Sequence, residues 1–271
     1  MSFPHYIPKK GELVSQGDRA ASPRTNRRMF RVIAVLLFAV IGLASEADLS
    51  GQSGTTEPPL RIPTDVAWTR DTLAIISRGD AFRGLLLARH CNHCHGEEGF
   101  SAVPEIPNLA GIDRLSFWKQ MQDFNSGKRI SAIMQEIARR SSARDSADLA
   151  VYYSMLPTGG DSEDKRSFPQ AMRDPSRASM AIELIVFGDG RRGIPPCQAC
   201  HGPVGSVNGA PSLATQNGDY LLEQLNHFAN GDRANDINVR MRSIAQQLTE
   251  QEKTALAEYY GAGLGPGVSA W

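Results

Sequence analysis

Four cysteines occur in the chain, and each belongs to one of two short motifs that end in histidine. The motifs are Cys91-Asn92-His93-Cys94-His95 and Cys197-Gln198-Ala199-Cys200-His201. This C-x-x-C-H spacing is the attachment pattern of covalently bound haem. Two cysteines three residues apart on one helical turn point the same way, so both can bond to one edge of a porphyrin. The sequence therefore predicts two haem c groups, one at each motif.

The histidine that ends each motif is predicted to be an axial ligand of the haem iron. A neutral imidazole binds iron through one ring nitrogen, while a carbonyl or carboxylate orients the other nitrogen. The sequence therefore predicts His95 and His201 as metal ligands. The alternative is zinc, since C-x-x-C pairs also bind zinc when further Cys or His ligands lie at set distances. A four-cysteine zinc site that spans both motifs would leave the internal repeat described below unexplained.

Two methionines are candidates for the second axial position. Met134 follows His95 by 39 residues, and Met241 follows His201 by 40. A thioether ligand raises the reduction potential of a haem. Methionine is also a common core residue, but the matched register in both repeats favours ligation. Ligation by two histidines is not expected, because the remaining candidates do not recur between the repeats. They are His90, His93 and His227. His90 and His93 are expected to be exposed, and His227, which matches Asp123 in the first repeat, is expected on a solvated helix face.

Two prolines recur at similar distances after the motifs. Pro107 and Pro211 stand 12 and 10 residues after the predicted histidine ligands. Proline presents a carbonyl oxygen without adding an amide donor. We hypothesise that these carbonyls accept hydrogen bonds from the free ring nitrogens of His95 and His201.

The chain contains an internal duplication. Besides the motifs, which are 106 residues apart, three phrases recur in the same order: residues 124–129 and 228–233, Met134 and Met241, and Tyr152-Tyr153 and Tyr259-Tyr260. The duplication predicts two domains, at 70–157 and 176–265, joined by a linker at 158–175 that is rich in Gly, Pro and charged residues.

Each repeat is predicted to be all-α. Helices are expected over 71–89 and 180–187 before the motifs, and over 115–124 and 220–228 in the middle. A last helix in each repeat begins at a capping-box pattern, Ser142 to Asp145 and Thr249 to Glu252. A covalent haem would supply the apolar core that a domain of this size otherwise lacks.

The N-terminus has the order of a secretory signal. Arginines at 27, 28 and 31 precede an apolar run over 32–43, and small residues follow. We expect residues 1–47 to direct export and to be cleaved after Ala47. The alternative is an uncleaved membrane anchor. Residues 48–69 are expected to form a flexible lead-in.

The charge of the chain excludes one class of function. The chain has 29 basic and 29 acidic residues, of which residues 1–47 carry seven and three, leaving 22 basic and 26 acidic. A mildly acidic protein is not expected to bind nucleic acid, and it suits a redox partner with a cationic face.

The sequence resembles the dihaem cytochrome c4 family, in which two class I cytochrome c domains follow one another in tandem. The phrases that carry the resemblance are residues 193–203, residues 107–111, and Met241 followed by Ile244-Ala245 and Tyr259-Tyr260. The resemblance covers roughly residues 70–262. The charged linker, the Arg89-His90 pair and the N-terminal extension depart from it.

The resemblance implies a periplasmic electron carrier with His/Met ligation at both haems and no catalytic residues. It also implies haems near one another across a pseudo-twofold domain interface. The implied partners are a terminal oxidase, a cytochrome bc1-type complex or a dehydrogenase. One alternative is a cytochrome subunit of a membrane-bound dehydrogenase or oxidase complex. Another is a dihaem enzyme, either a peroxidase or a thiosulfate dehydrogenase. The latter would need a cysteine as an iron ligand, and all four cysteines already belong to the two motifs.

Overall fold

The structure is a computed structural model that describes residues 63–158, 174–202, 209–214 and 216–263. Within these ranges the regular elements are helices, and one isolated bridge joins Asp189 to Ile194. The predicted all-α class is confirmed. The expected signal segment, the lead-in before residue 63 and residues 159–173 of the expected linker lie outside the described residues. The expected domain boundaries stay a prediction.

Residues 63–158, which we call repeat 1, contain six helices. They are α1 (Arg70–Ser77), α2 (Ala81–Ala88), α3 (Asn92–His95), α4 (Arg114–Ser126), α5 (Ala132–Arg140) and α6 (Ala143–Met155).

The described residues from 174 to 263, which we call repeat 2, contain five α-helices. They are α7 (Pro175–Val186), α8 (Gln198–His201), α9 (Gly218–Asn230), α10 (Arg240–Gln247) and α11 (Glu250–Gly261), with a 3₁₀ turn at Ile237–Val239.

Start and end signals in the sequence place several helices correctly. Ser142 and Thr249 begin α6 and α11 with reciprocal capping boxes, as predicted. The two middle helices, α4 and α9, both end at a glycine in the left-handed conformation, with φ of 77° at Gly127 and 83° at Gly231. The recurring phrases at 124–129 and 228–233 therefore mark the same helix end in both repeats.

The approach to each motif differs from the prediction. The helix expected over 71–89 is divided into α1 and α2, because the Asp80 side chain accepts the amide hydrogens of Phe82 and Arg83 and begins a new helix. In repeat 2, α7 ends at Val186, so it does not run into the motif. A turn closed by the Asp189–Ile194 bridge lies between them.

Each repeat has its own hydrophobic core. In repeat 1 the core includes Phe117, Trp118, Met121, Phe124, Leu149 and Tyr153, with Cys91 packed against it. In repeat 2 it includes Leu184, Ile185, Ile194, Leu221, Leu256 and Tyr260, with Cys197 packed against it. Both cores therefore extend to the first cysteine of their motif.

The last residues of the expected lead-in belong to the folded unit. Val66 and Trp68 pack against the core of repeat 1, and α1 begins at Arg70. For residues 63–69 the structure therefore differs from the expected flexible segment. The reason is that apolar side chains on this part of the chain reach the core.

The two repeats meet through polar side chains in a crossed arrangement. Arg129 donates to its own repeat's Gln120 at 2.8 Å and to Gln224 of repeat 2 at 3.1 Å. Arg233 donates to its own repeat's Gln224 at 2.9 Å and to Gln120 at 3.2 Å. The two guanidinium groups also lie over the rings of equivalent phenylalanines, one in each repeat. The contact therefore has pseudo-twofold symmetry.

Candidate functional site

Each cysteine motif forms a single helical turn. The amide of His95 donates to the carbonyl oxygen of Cys91 at 3.0 Å, and the amide of His201 donates to that of Cys197 at 2.9 Å. The motif helices α3 and α8 are thus equivalent turns whose first cysteine packs on the core. This geometry sets both sulfurs and the histidine on one short stretch of chain, as haem attachment requires.

Each motif histidine contacts the proline that the sequence pairs with it. Nδ1 of His95 lies 2.8 Å from the carbonyl oxygen of Pro107, and Nδ1 of His201 lies 2.7 Å from that of Pro211. A carbonyl oxygen only accepts hydrogen bonds, so Nδ1 carries the proton in both rings. The lone pair of the neutral imidazole is then on Nε2, the nitrogen left for a metal.

Burial favours the neutral form of both imidazoles. It lowers the pKa of His95, although the Pro107 carbonyl acts in the opposite direction. It also lowers the pKa of His201, where the Pro211 carbonyl opposes the shift and the positive charge of Arg233 adds to it. A cation beside a predicted ligand suits a bound group that carries carboxylates, as haem does.

The loop that carries Pro107 is held by hydrogen bonds between its own residues and the residues just before it. The buried Asn108 side chain accepts the amide hydrogen of Ser101 at 2.8 Å. The carbonyl oxygen of Gly99 accepts the amide hydrogens of Leu109 and Ala110 at 2.8 Å and 3.1 Å. The recurring Pro-x-Leu-Ala phrase is the one sequence signal that points to this loop.

The two candidate methionines lie at equivalent places. Met134 is in the first turn of α5, which Ser131 caps, and it packs against the core that Cys91 also contacts. Met241 is the second residue of α10 and is half-buried. Neither helix was predicted from the sequence. Methionine ligation itself stays a prediction.

The backbone is strained just before Met241. Asn238 and Val239 have positive φ angles of 54° and 58°, and among the described residues other than glycine no others do. A β-branched residue in this conformation is unfavourable and persists only where the surroundings hold it. Such strain often accompanies a functional position, which is consistent with a role for Met241.

Two buried tyrosine hydroxyls also fit a group attached at the cysteines. The Tyr260 hydroxyl is buried without a hydrogen-bond partner in the described part of the chain, and the Tyr153 hydroxyl is buried beside the thiol of Cys91. Burial raises the pKa of both, and the neighbouring thiols of Cys91 and Cys197 raise it further. In the sequence these tyrosines are only landmarks of the duplication, and the fold alone places them beside the motifs.

An open concavity of about 550 Å³ lies beside the second motif. Its lining includes Phe187, Ile194, Pro195 and Arg240, whose guanidinium is 3.8 Å from the sulfur of Cys200. The volume of this open concavity is within the range of small-molecule and cofactor sites. The residues around both motifs therefore fit haem in ligand type, and those around the second motif also fit it in charge and in the space beside the sulfurs.

The remaining histidines do not join either motif site. His90 and His93 are exposed, as expected. The matched pair His227 and Asp123 was expected on a solvated helix face, but His227 is half-buried and Asp123 is buried at the contact between the repeats. The expected face is wrong because the two middle helices approach each other there.

A shared zinc site has no support in the structure. In the described ranges no three His, Cys, Asp or Glu side chains form a group that could hold a metal ion. Across the residues that the structure describes, every helix is too short or too polar to cross a bilayer.

Comparison with known proteins gives one consistent group of relatives. The chain is 33% identical over 185 residues to cytochrome c4 of Pseudomonas aeruginosa, a match that covers 67% of this chain and 87% of the relative. It is 37% identical over 176 residues to the thiosulfate dehydrogenase electron acceptor of Stutzerimonas stutzeri, covering 64% and 78%. No family model matches the chain.

A solved structure has the same fold. Reduced recombinant cytochrome c4 from Pseudomonas stutzeri superposes with a TM-score of 0.59 at 31% identity, covering 68% of this chain and 98% of that one. A match of this length is longer than either repeat alone. It is consistent with the expected tandem arrangement of two cytochrome c domains.

Proposed function

The chain belongs to the dihaem cytochrome c4 family, and we propose that it carries electrons in the periplasm between respiratory redox proteins. Family membership makes it a dihaem c-type electron carrier that holds two haem c groups. The proposal concerns the residues that hold the haems, the compartment and the partners. The observation that carries it is the matched pair of motif histidines, each hydrogen-bonded to a proline carbonyl.

We assign the haem attachment and the axial ligands in the same way in both repeats. Cys91 and Cys94 would bond the first haem, with His95 and Met134 on its iron. The second haem would be bonded by two cysteines, with one histidine and one methionine on its iron. These residues are Cys197, Cys200, His201 and Met241.

The haem iron supplies the redox chemistry when it is bound, and the chain supplies orientation and electrostatics. The Pro107 and Pro211 carbonyls hold the protons on Nδ1 of His95 and His201, so that the lone pair of Nε2 would be free to bind the metal. These hydrogen bonds also make the imidazoles more basic. Packing of the first cysteine of each motif on the core limits water there, and such burial is one determinant of a redox potential.

The partners we propose are redox proteins: a terminal oxidase, a cytochrome bc1-type complex or a dehydrogenase. Two relatives, at 37% and 32% identity, are named as electron acceptors of thiosulfate dehydrogenase. A thiosulfate-oxidising enzyme is therefore a specific candidate for the electron donor. The acidic balance of residues 48–271 favours a partner with a cationic docking face.

The periplasmic location rests on the secretory pattern of residues 1–47. If residues 1–47 were not cleaved, they would anchor the protein in the membrane. Such an anchor would favour the alternative function, a fixed subunit of a membrane dehydrogenase or oxidase complex. Purification of the protein from the soluble periplasmic fraction supports the free carrier, whereas recovery from membranes together with a partner supports the subunit.

A redox titration with optical spectra on the purified, haem-loaded protein tests the proposal. We expect two low-spin haems, each with the charge-transfer absorption of a methionine–iron bond, and a mass that exceeds the polypeptide by two haem groups. A product without haem, or with zinc in its place, contradicts the assignment. If two haems are present without the methionine absorption, Met134 and Met241 are not iron ligands. That result would favour an open coordination position on the iron, as a peroxidase has.

A further inference from the structure

A short N-terminal segment joins the two repeats at a buried point. Residues 63–69 of repeat 1, which we call the strap, precede α1 and pack on the rest of repeat 1 through Val66 and Trp68. The Thr64 hydroxyl donates to the Oδ1 atom of Asp123 on α4. The strap is therefore tied to the helix of repeat 1 that faces repeat 2.

Asp123 is the centre of a polar node that includes both repeats. Its Oδ2 atom accepts from Lys119 Nζ and, at 2.7 Å, from Nδ2 of Asn235 in repeat 2. Lys119 also donates to the carbonyl oxygen of Asn235 at 2.6 Å. Asp123, Lys119 and Asn235 are 1%, 3% and 1% exposed. Both carboxylate oxygens of Asp123 are thus hydrogen-bonded, one of them by the strap.

The strap also touches repeat 2 directly. A Cβ added at Gly209 would lie 2.7 Å from Cζ2 of Trp68, so the indole rests on this glycine. Gly209 has a φ of 77°, and its carbonyl oxygen accepts from the buried Ser116 hydroxyl at 2.7 Å. Gly209 allows the close approach of Trp68 because it has no side chain, and its left-handed backbone favours glycine.

Buried charges make this contact sensitive to the loss of any one hydrogen-bond partner. Burial lowers the pKa of Lys119, and the Asp123 carboxylate opposes that shift, so the charged pair is costly unless every partner is in place. Contacts between domains of one chain otherwise leave room for relative motion. Asp123 corresponds to His227 in repeat 2, so the node occurs on one side of the pseudo-twofold contact only.

We propose that the strap positions repeat 2 against repeat 1, with Thr64 as a positioning residue for electron transfer between the two haems. This inference rests on the proposed function, since it assumes one haem in each repeat. Transfer between two haems depends on their separation and orientation, and the strap fixes both by closing the Asp123 node. Thr64 would act through its hydrogen bond to Asp123.

The test compares Thr64→Val with two matched variants. Valine has nearly the shape of threonine but can neither donate to Asp123 nor accept from the Val66 amide, whereas Thr64→Ser keeps the hydroxyl and should rescue. Asp65→Asn removes the neighbouring exposed contact with Lys128, in which the Asp65 side chain is 68% exposed. An ion pair this exposed contributes little, so Asp65→Asn should behave as wild type.

The first readout is hydrogen exchange on the haem-loaded protein. The Asn108 amide donates across the contact to Gln216 at 2.7 Å, whereas the Gly111 amide donates to Tyr153 within repeat 1 at 2.9 Å. In Thr64→Val we expect protection of the Asn108 amide to fall about two- to tenfold, the effect of one lost hydrogen bond. Protection of the Gly111 amide should not change.

The second readout is the rate at which one injected electron equilibrates between the haems. We expect a slower rate in Thr64→Val, wild-type rates in Thr64→Ser and Asp65→Asn, and unchanged optical spectra in all three. An unchanged rate and unchanged Asn108 protection with normal spectra overturn the strap proposal alone. Wild-type protein without two His/Met spectra overturns the proposed function instead, so the two failures are distinguishable.

Discussion

His201 donates a hydrogen bond from Nδ1 to the carbonyl oxygen of Pro211 at 2.7 Å, and this bond fixes which ring nitrogen is left for iron. The acceptor belongs to the main chain, so no side-chain substitution deletes it. Its position can still be loosened, because the proline ring restricts the backbone φ at residue 211.

We therefore expect Pro211→Ala to raise the reduction potential of the second haem. A looser carbonyl weakens the hydrogen bond, the imidazole becomes less basic, and the ferric state is less stabilised. A redox titration measures the shift, and the first haem, whose His95 bonds to Pro107, is the internal control. Equal potentials in wild type and variant, with equal stability, would count against a tuning role for this carbonyl.

The methionine assignment predicts two separable losses. Met134→Ala and Met241→Ala should each remove about half of the methionine–iron absorption and lower the potential of one haem only, because thioether ligation favours the ferrous state. Met121→Ala is the matched control, since Met121 is a buried core residue of repeat 1. It should lower stability and keep the full absorption. Retention of the whole signal in Met134→Ala would exclude that residue as a ligand.

Gly84 lies on α2, before the first motif, where this helix packs closely against α6. A Cβ at this position would lie 2.2 Å from the carbonyl oxygen of Asp148 and 2.6 Å from Cβ of Tyr152, so α2 could not stay against α6. We expect Gly84→Ala to cost about 1–3 kcal/mol of unfolding free energy, as overpacking does. Denaturant unfolding measures this cost. Gly190→Ala has open space around the new methyl group and should be nearly neutral.

An ion-pair cluster predicts the acid sensitivity of repeat 2. Arg192 donates to Asp189 at 2.7 Å and to both oxygens of Glu252 at 2.6 Å and 2.9 Å. Hydrogen bonds from Arg192 hold the pKa of Glu252 and of Asp189 below their usual values of 4.5 and 3.8. Carboxylates with a lowered pKa stabilise the fold above their usual pKa and lose that contribution as the pH falls through the lowered values.

We therefore expect Arg192→Met to be less stable than wild type at pH 7, with a difference that shrinks as the pH falls below 4.5. Urea midpoints at several pH values give the comparison. Arg140→Met is the control, because its pair with Glu136 is exposed on both sides and contributes little. A difference of constant size from pH 7 to acid would mean that Arg192 acts through packing and not through charge.

Local signals in the sequence predicted part of this structure. The capping boxes at Ser142 and Thr249 locate α6 and α11 because a cap needs only residues of its own first turn. The division of the first helix was not predicted, but the sequence contains a signal for it. Gly79 and Asp80 combine a helix breaker with a good N-cap residue.

Other features depend on distant parts of the chain. Helices α5 and α10 have only nine and eight residues, too few to be stable without the packing around them. The burial of Lys119, Asp123 and Asn235 follows from how closely the repeats approach, and nothing in their local sequence marks them. The haem motifs could be recognised in the sequence because all of their characteristic residues lie within five consecutive positions.

The exchange of partners between Arg129 and Gln224, and between Arg233 and Gln120, is the arrangement by which two identical subunits join about a dyad. The tandem chain is thus organised like a homodimer whose subunits share one polypeptide. Covalent connection makes their association independent of concentration, so dilution does not separate them. Any change to Gln120 or Gln224 consequently alters both halves of the contact at once.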